Sequence, residues 1–88
     1  MQGLYTISIK PSALKELACL PKATAKKAGK AIDGLAVNPR PEGVKKLKGS
    51  NENLYRIRVG DYRIIYLIED EIKIVDIRRI GHRKDIYK

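Results

Sequence analysis

The sequence predicts an α+β fold in which two N-terminal helices pack on a mostly antiparallel, four-stranded sheet. Three observations lead to this prediction. Residues 11–37 show helical periodicity, the apolar residues after position 54 recur with a period of two, and Gly60-Asp61 separates two such stretches as a two-residue hairpin loop. With 88 residues, the chain is expected to form a single domain, residues 1–88, with one modest core.

The first element is a predicted strand over residues 4–10, where apolar and polar residues alternate. A short helix is predicted to begin at Pro11, because proline is favoured in the first turn of a helix. A second helix is predicted over residues 22–37, and Asn38-Pro39 ends it. The inner stripes are predicted to contain Leu14, Leu17 and Ala18 in the first helix and Ala25, Ala28, Ile32 and Leu35 in the second.

Three more strands are predicted in the second half of the chain, over residues 55–59, 62–68 and 72–80. The basic stretch 44–53 before them is predicted to be a loop. Gly81 is expected to end the last strand and to leave a short tail. The predicted order of elements is therefore β-α-α-β-β-β.

The predicted hairpin separates its side chains into two different faces. With Gly60-Asp61 as the loop, Arg58 lies directly opposite Arg63, and Arg56 shares their face because side chains alternate along a strand. Directly opposed like charges destabilise a hairpin, so this pair needs an explanation, and an anion between the two arginines is the simplest. The other face is a predicted core surface of Tyr55, Ile57, Val59, Tyr62, Ile64, Tyr66 and Ile68.

The last predicted strand adds either Arg78 or Arg79 to the arginine surface. A two-residue turn before the strand selects Arg78, whereas a slip of one residue selects Arg79, and the sequence leaves both registers open. The alternative interpretation of all these arginines is a solvated sheet face whose aliphatic stems cover apolar atoms. Arginine favours a phosphate ligand, because its planar fork binds phosphate through two parallel hydrogen bonds.

The net charge of +9, from 19 Lys and Arg against 10 Asp and Glu, indicates an anionic partner. Nucleic acid is the first candidate and an acidic protein is the second. No apolar run approaches the roughly 20 residues of a membrane span, and no signal-peptide core is evident. Cys19 is the one cysteine and is expected to be a small buried residue. These features predict a cytoplasmic protein without a membrane partner.

Four stretches of the chain form a recognisable set: Lys46-Leu-Lys-Gly49, Tyr55-Arg-Ile-Arg-Val59, Asp61-Tyr-Arg-Ile-Ile-Tyr66 and Ile80-Gly-His-Arg-Lys-Asp-Ile-Tyr87. Together they resemble the RelE/ParE superfamily of bacterial and archaeal toxins, and most of all its RelE members. The likeness covers nearly the whole chain. It implies the RelE-like, microbial ribonuclease-type fold and the toxin of a type II toxin–antitoxin system. It also implies a ribosome-dependent endoribonuclease, an mRNA interferase, that cleaves messenger RNA in the A site and inhibits translation.

The resemblance also implies site residues in this chain. The catalytic set consists of Arg56, Arg58, Arg63, Arg83 and Tyr87, with His82 as a further candidate because some related toxins use a histidine near the C-terminus. The RNA-binding set consists of Lys45, Lys46, Lys48, Arg78 and Arg79. No metal or cofactor is expected, because Glu69-Asp70-Glu71 is predicted to be a turn that no His or Cys joins.

The chemistry of RNA cleavage fits such a set. RNA supplies its own nucleophile, the 2′-hydroxyl, so the enzyme must align it in line and stabilise the negatively charged phosphorane. The expected product is a 2′,3′-cyclic phosphate. A proton must leave the 2′-oxygen and another must reach the 5′-oxygen, and arginine is a poor base because it stays protonated. Whether Tyr87 or His82 transfers the proton stays open at this point.

Two other functions are compatible with the resemblance. One is a ParE-like inhibitor of DNA gyrase without nuclease activity, and the other is an inert subunit that acts only with its antitoxin on operator DNA. For the nuclease, the expected partners are a RelB-like antitoxin, with a heterotetramer as one arrangement, and the ribosome with its messenger RNA. Operator DNA is expected to be bound only through the antitoxin.

Overall fold

The computed structural model describes residues 4–47 and 53–82. Its elements are the strand β1 (Thr6–Ile9), the helices α1 (Pro11–Ala18) and α2 (Lys22–Val37), and the strands β2 (Lys45–Lys46), β3 (Leu54–Val59), β4 (Tyr62–Glu69) and β5 (Ile74–His82). The predicted α+β class, both helices and the four predicted strands are confirmed. One additional strand, β2, lies in the stretch that the sequence predicts to be a loop.

The strands form one sheet in the order β1-β5-β4-β3-β2. Strand β1 pairs with β5 in parallel and the other three pairs are antiparallel, so the predicted mostly antiparallel sheet is confirmed. The additional strand β2 consists of two residues, Lys45 opposite Arg56 and Lys46 opposite Tyr55. Two residues are too few to show a period of two, so β2 is recognisable only from its partner strand.

The core lies between the helices and one face of the sheet. Helix α2 contributes Ala28, Ile32 and Leu35 to it, as its periodicity predicts. The sheet contributes a block of almost fully buried residues: Ile64, Tyr66, Ile68, Val75, Ile77 and Ile80. All of the β4 residues in this block belong to the face that alternation predicts to be buried.

The predicted inner stripe of α1 is wrong in part. Leu14 is 53% exposed and Ala18 is also exposed, whereas Ala13 is fully buried and Leu17 packs against the core. The eight-residue helix has apolar residues on two neighbouring stripes, so docking on the sheet and not periodicity selects its inner face. Cys19, expected to be buried, follows the last helical residue and is exposed.

Strand β5 differs from its prediction at both ends. It begins two residues later than expected, after a turn in which Lys73 has a positive φ of 56°. It also continues through Gly81 to His82, so the expectation that Gly81 ends the strand is wrong. Gly81 pairs with Arg63 and His82 pairs with Tyr62, and these ladder contacts with β4 extend the strand past a residue of low strand propensity.

A polar cluster joins residues from four segments at the end of the sheet remote from the hairpin loop. Arg40 donates two hydrogen bonds to the carboxylate of Asp70, at 3.1 and 2.8 Å, and the Tyr5 hydroxyl donates a third at 2.7 Å. The Arg40 Nε also donates to the Tyr55 hydroxyl at 3.3 Å. We call Tyr5, Arg40, Tyr55 and Asp70 the clasp. It ties the loop after α2 to the turn before β5 and to the chain just before β1.

In the described ranges, neither α1 nor α2 is both long enough and apolar enough to cross a membrane.

Because of the clasp, the free energy of unfolding should depend on pH in the acid range. Its hydrogen bonds from Arg40 and then from Tyr5 lower the pKa of Asp70 from 3.8 to about 2. Because this pKa is lowered in the folded state, the stabilisation is complete above about pH 4 and is lost as the pH falls towards 2. Asp70→Asn should therefore reduce the free energy of unfolding near neutral pH, by up to about 1 kcal/mol for such an exposed ion pair. The difference from the wild type should shrink between pH 4 and pH 2.

Urea titrations of both proteins across this pH range test the expectation. Glu71→Gln is the matched control, because it removes an exposed carboxylate from the same turn without touching the clasp. A constant difference between Asp70→Asn and the wild type at every pH would contradict the assignment.

Candidate nucleic-acid interface

The face of the β3–β4 hairpin remote from the helices carries Arg56, Arg58 and Arg63; we call it the arginine face. The loop Gly60-Asp61 has the predicted two residues, and Gly60 has a positive φ of 61°, which suits glycine. The observed register places Arg58 directly opposite Arg63. The like-charge pair expected from the sequence is therefore present, on adjacent strands and on one face.

Arg63 is held in place by burial. Its residue is only 6% exposed, and its Nε is a buried donor that has no hydrogen-bond partner in the part of the chain that the structure describes. A buried donor left unpaired costs about 1–3 kcal/mol. On its other side Arg63 pairs with Gly81, which has no side chain to cover or neutralise it. Arg63 is thus a buried, fixed cation directly opposite Arg58.

Next to the opposed pair of Arg58 and Arg63, a second row of paired residues runs across the sheet and contains three cations. Lys45, Arg56, Ile65 and Arg79 are consecutive partners on β2, β3, β4 and β5. Partners that lie directly opposite each other share a face, so Lys45 and Arg79 flank the arginine face on its two sides. This register answers the question that the sequence leaves open, because Arg79 and not Arg78 occupies the paired position. The side chain of Arg79 is 49% exposed.

Arg78 is the additional residue of a β-bulge. The register of β4 and β5 shifts between Ile65 and Tyr66, so that Tyr66 pairs with Ile77 while Ile65 pairs with Arg79. The Nε of Arg78 donates to the Asp76 Oδ2 at 2.7 Å, and both side chains are about one-fifth exposed. Bulges commonly redirect a side chain next to a functional site. Here the residue at the bulge, Arg78, has a carboxylate partner on its own strand.

Away from the hairpin loop, the side of the sheet that carries the arginines is mainly aliphatic. Leu67 pairs with Leu54 on one side and with Asp76 on the other. Ile65 and Leu67 are 8% and 9% exposed, although they lie outside the cluster that the helices cover. The cationic groups are thus concentrated towards the hairpin loop, and buried aliphatic side chains lie behind them.

Two of the predicted site residues lie away from this face. Lys46 pairs with Tyr55 and His82 pairs with Tyr62, and both of these tyrosines belong to the face that the helices cover. The rings of Tyr62 and His82 meet edge to face with their centroids 5.6 Å apart. Because Gly81 takes the position beside Arg63, alternation turns His82 to the opposite side of the sheet.

Three other predicted site residues, Lys48, Arg83 and Tyr87, lie outside the described residues. The structure also shows contributions that the sequence analysis missed: Asp76 as the partner of Arg78, and Gly81 as the neighbour of Arg63. Asp76 and Arg78 are two positions apart on a predicted strand and so share a face, which is a signal that could have suggested their ion pair. The burial of Arg63 has no comparable signal in the sequence.

The chain is similar to known toxins over nearly its whole length. Residues 7–87 match the model of a family described as the ParE toxin of type II toxin–antitoxin system, parDE. A protein named as toxin RelE1 from Methanocaldococcus jannaschii is 37% identical over 87 residues, which cover 96% of both chains. Toxin RelE from Mycobacterium tuberculosis is 34% identical over 85 residues, which cover 96% of this chain and 87% of that protein.

Solved structures show the same fold. The archaeal RelE–RelB complex from Pyrococcus horikoshii contains a chain that matches with a TM-score of 0.82 and 34% identity, over 93% of this chain and 98% of that one. The isolated RelE toxin of E. coli matches with a TM-score of 0.77 and 28% identity, over 94% of this chain and 90% of that one. The arrangement of two helices on a mostly antiparallel sheet is thus shared with RelE toxins.

The opposed arginines should make the hairpin less stable at low salt. Arg58→Gln removes one of two directly opposed charges, so we expect the free energy of unfolding to rise by roughly 0.2–1 kcal/mol. The gain should fall at high salt, where exposed charges are screened. Urea titrations at low and high salt measure both effects. Lys15→Gln is the control, since it removes an exposed charge from α1; an equal gain in both variants would show that only net charge matters.

Proposed function

Since the chain belongs to the RelE/ParE superfamily of type II toxin–antitoxin toxins, with RelE toxins among its relatives, we propose that it is a ribosome-dependent endoribonuclease that cleaves messenger RNA in the A site. One observation carries the proposal. Arg58 and Arg63 lie directly opposite each other, and the buried Nε of Arg63 has no acceptor among the described residues. A phosphate bound over this pair would supply the negative charge that offsets the repulsion, and burial holds the Arg63 side chain in place for it.

The arginine face suits the transition state of RNA cleavage better than its ground state. Attack of the 2′-hydroxyl on the adjacent phosphorus adds negative charge to the equatorial oxygens of a phosphorane. Donors that are fixed before the reaction stabilise this charge without reorganisation at the moment of reaction. In the proposal, Arg58 and Arg63 bind the reacting phosphate, while Arg56, Lys45 and Arg79 hold neighbouring phosphates along the second row.

The proposed reaction needs no metal and no cofactor. The 2′-oxygen forms a bond to phosphorus and the bond from phosphorus to the 5′-oxygen breaks, which leaves a 2′,3′-cyclic phosphate and a 5′-hydroxyl. One proton leaves the 2′-oxygen and one reaches the 5′-oxygen. We assign the proton transfer to Tyr87, with Arg83 as a further phosphate ligand. The position of His82 beside Tyr62, away from the arginine face, supports this choice.

The proposed partners follow from the charge of the same surface. A RelB-like antitoxin with an acidic, amphipathic segment would neutralise the arginine face, and relatives of this chain have been solved in RelE–RelB complexes. A groove of about 380 Å³ next to Arg58, with Leu35 and Ile57 among its lining residues, offers such a segment an apolar contact. In this proposal residues 1–88 act as one domain in the cytoplasm, and operator DNA is reached only through the antitoxin.

A second candidate is inhibition of DNA gyrase without nuclease activity. The observation in its favour is the matched family model, which is described as a ParE toxin. Gyrase inhibition without nuclease activity does not require the opposed arginines Arg58 and Arg63, one of them buried. Arrest of growth without any cut in messenger RNA, together with loss of supercoiling by purified gyrase, would replace the first proposal by this one.

The guanidinium of Arg63 should be essential for cleavage. Arg63→Met keeps most of the buried aliphatic stem and removes the charged group, so the fold should persist. We expect the rate of single-turnover cleavage on programmed ribosomes to fall by roughly 10²-fold or more, the typical loss for one transition-state donor. Arg58→Gln should lose activity similarly. Primer extension on the messenger RNA, looking for cuts in phase with codons, gives the rate.

Lys26→Gln is the matched control for these variants, because it removes an exposed charge from α2 on the opposite side of the sheet. It should cleave at nearly the wild-type rate. An Arg63→Met protein that folds and keeps the wild-type rate would remove the arginine face from the mechanism.

The tail should supply the proton. Tyr87→Phe removes only the hydroxyl, so ribosome binding should stay unchanged while single-turnover cleavage slows clearly. If Tyr87 only stacks on a base, Phe should act like Tyr and Ala should be the damaging change. His82→Ala should lose less than Tyr87→Phe, and the rate should show no imidazole titration near neutral pH. A fully active Tyr87→Phe protein would leave the arginines as the only catalytic groups.

A further inference from the structure

One edge of β5 loses its partner strand halfway along. The parallel pairing of β1 covers β5 only from Ile74 to Ile77. The amide of Lys10 makes the last bond of this edge, to the carbonyl of Ile77 at 3.0 Å, and the chain then turns into α1 at Pro11. Beyond Ile77, β1 no longer holds the segment of β5 that carries Arg79.

Beyond the last bond to β1, a side chain of α1 binds the edge of β5. The Oε1 of Glu16 accepts a hydrogen bond from the backbone N–H of Ile80 at 2.8 Å, in a partly buried position. Its Oε2 lies 3.5 Å from the Nε of Arg79. The carboxylate thus replaces the carbonyl that a longer β1 would offer, and it also contacts the arginine of the second row.

Glu16 is in an intrinsically unfavourable position. It belongs to the last turn of α1, where the negative end of the helix dipole disfavours a carboxylate. The contacts of Glu16 with Ile80 and Arg79 offset this unfavourable interaction with the helix dipole.

The hydrogen bond between Glu16 and Ile80 lies just after the bulge, where the register of β5 could slip. Arg78 is the additional residue of the bulge, so the strand has to resume its alternation at the next position. A slip of one residue after the bulge would turn Ile80 outward and move Arg79 to the other side of the sheet. The bond from Ile80 to Glu16 lies at the second residue after the bulge, and together with the pairing of Ile80 and Ile64 it holds the alternation there.

We propose that Glu16 is a positioning residue for the arginine face. It acts by holding the backbone of Ile80, and thereby the placement of Arg79 opposite Ile65 and of Gly81 opposite Arg63. The reaction it serves is the proposed RNA cleavage, so this inference rests on the proposed function. The contact with the backbone is the effective one, because it is short and partly buried, whereas the ion pair with the half-exposed Arg79 is long and screened by water.

Two variants of Glu16 separate these contacts. Glu16→Gln keeps an oxygen acceptor for the Ile80 amide and removes the charge, while Glu16→Ala removes both. Asp33→Asn and Asp33→Ala are the matched controls, since they make the same charge changes at an exposed site of α2. Three quantities are measured: hydrogen exchange of the Ile80 amide by NMR, affinity for programmed ribosomes, and the single-turnover rate of cleavage.

In Glu16→Ala, we expect faster exchange of the Ile80 amide and a cleavage rate at least roughly tenfold lower at unchanged ribosome affinity, since a displacement of about 1 Å at a reacting centre can cost on the order of 10²-fold. Glu16→Gln should restore most of the rate, and both Asp33 variants should behave like the wild type. Restoration by Gln and a lower rate without weaker binding are effects that general destabilisation would not produce.

The proposal is overturned if Glu16→Ala cleaves like the wild type, or if Glu16→Gln is as slow as Glu16→Ala. Unchanged exchange at Ile80 in Glu16→Ala would also overturn it, whatever the cleavage rate. A wild-type chain that cuts no messenger RNA contradicts the proposed function instead. The two failures are thus distinguishable, because the exchange measurement needs no RNA.

Discussion

The register of the β3–β4 hairpin is the constraint on which the rest of the structure depends. A loop of two residues, made possible by the positive φ of Gly60, joins the two strands and determines every pair along them. A slip of one residue would exchange the faces, so that Arg58 would enter the core and Ile57 would leave it. Burying an unpaired arginine costs far more than burying an isoleucine gains. The hydrophobic core therefore stabilises the same register that places the arginines together on the far side.

The same register gives the sheet two chemically different faces, one apolar and one cationic. The helices cover one face and bury Tyr66, Ile64 and Ile68 almost completely. The opposite face has no described helix over it and holds the like-charge pair of Arg58 and Arg63. Among residues 4–47 and 53–82, the buried Nε of Arg63 has no acceptor, which is an unfavourable arrangement. Two opposed guanidinium groups held in place on a sheet are the arrangement from which the proposed anion site is argued.

Contacts distant in sequence then hold this surface in shape. The clasp of Arg40 and Asp70 joins segments 30 residues apart, and Glu16 bonds to Ile80 across 64 residues. The two contacts act at different places, one at the turn before β5 and one at the end of β5 that carries Arg79. In each case a carboxylate on one segment accepts a hydrogen bond from another. The sheet surface used in the proposed reaction is thus supported from the helical layer as well as by its own ladder.

The sequence by itself determined the α+β class, the bounds of α2, the hairpin register and the opposition of Arg58 and Arg63, because these depend on local period and on a loop that joins adjacent strands. Only the tertiary structure decided the inner face of α1, the strand β2, the choice of Arg79 over Arg78, the burial of Arg63 and the placement of His82 away from the arginines. The physical reason is the same in each case. A bulge, a two-residue strand and the rotation of a short helix are selected by bonds to residues far away in the chain, and local periodicity contains no information about those bonds.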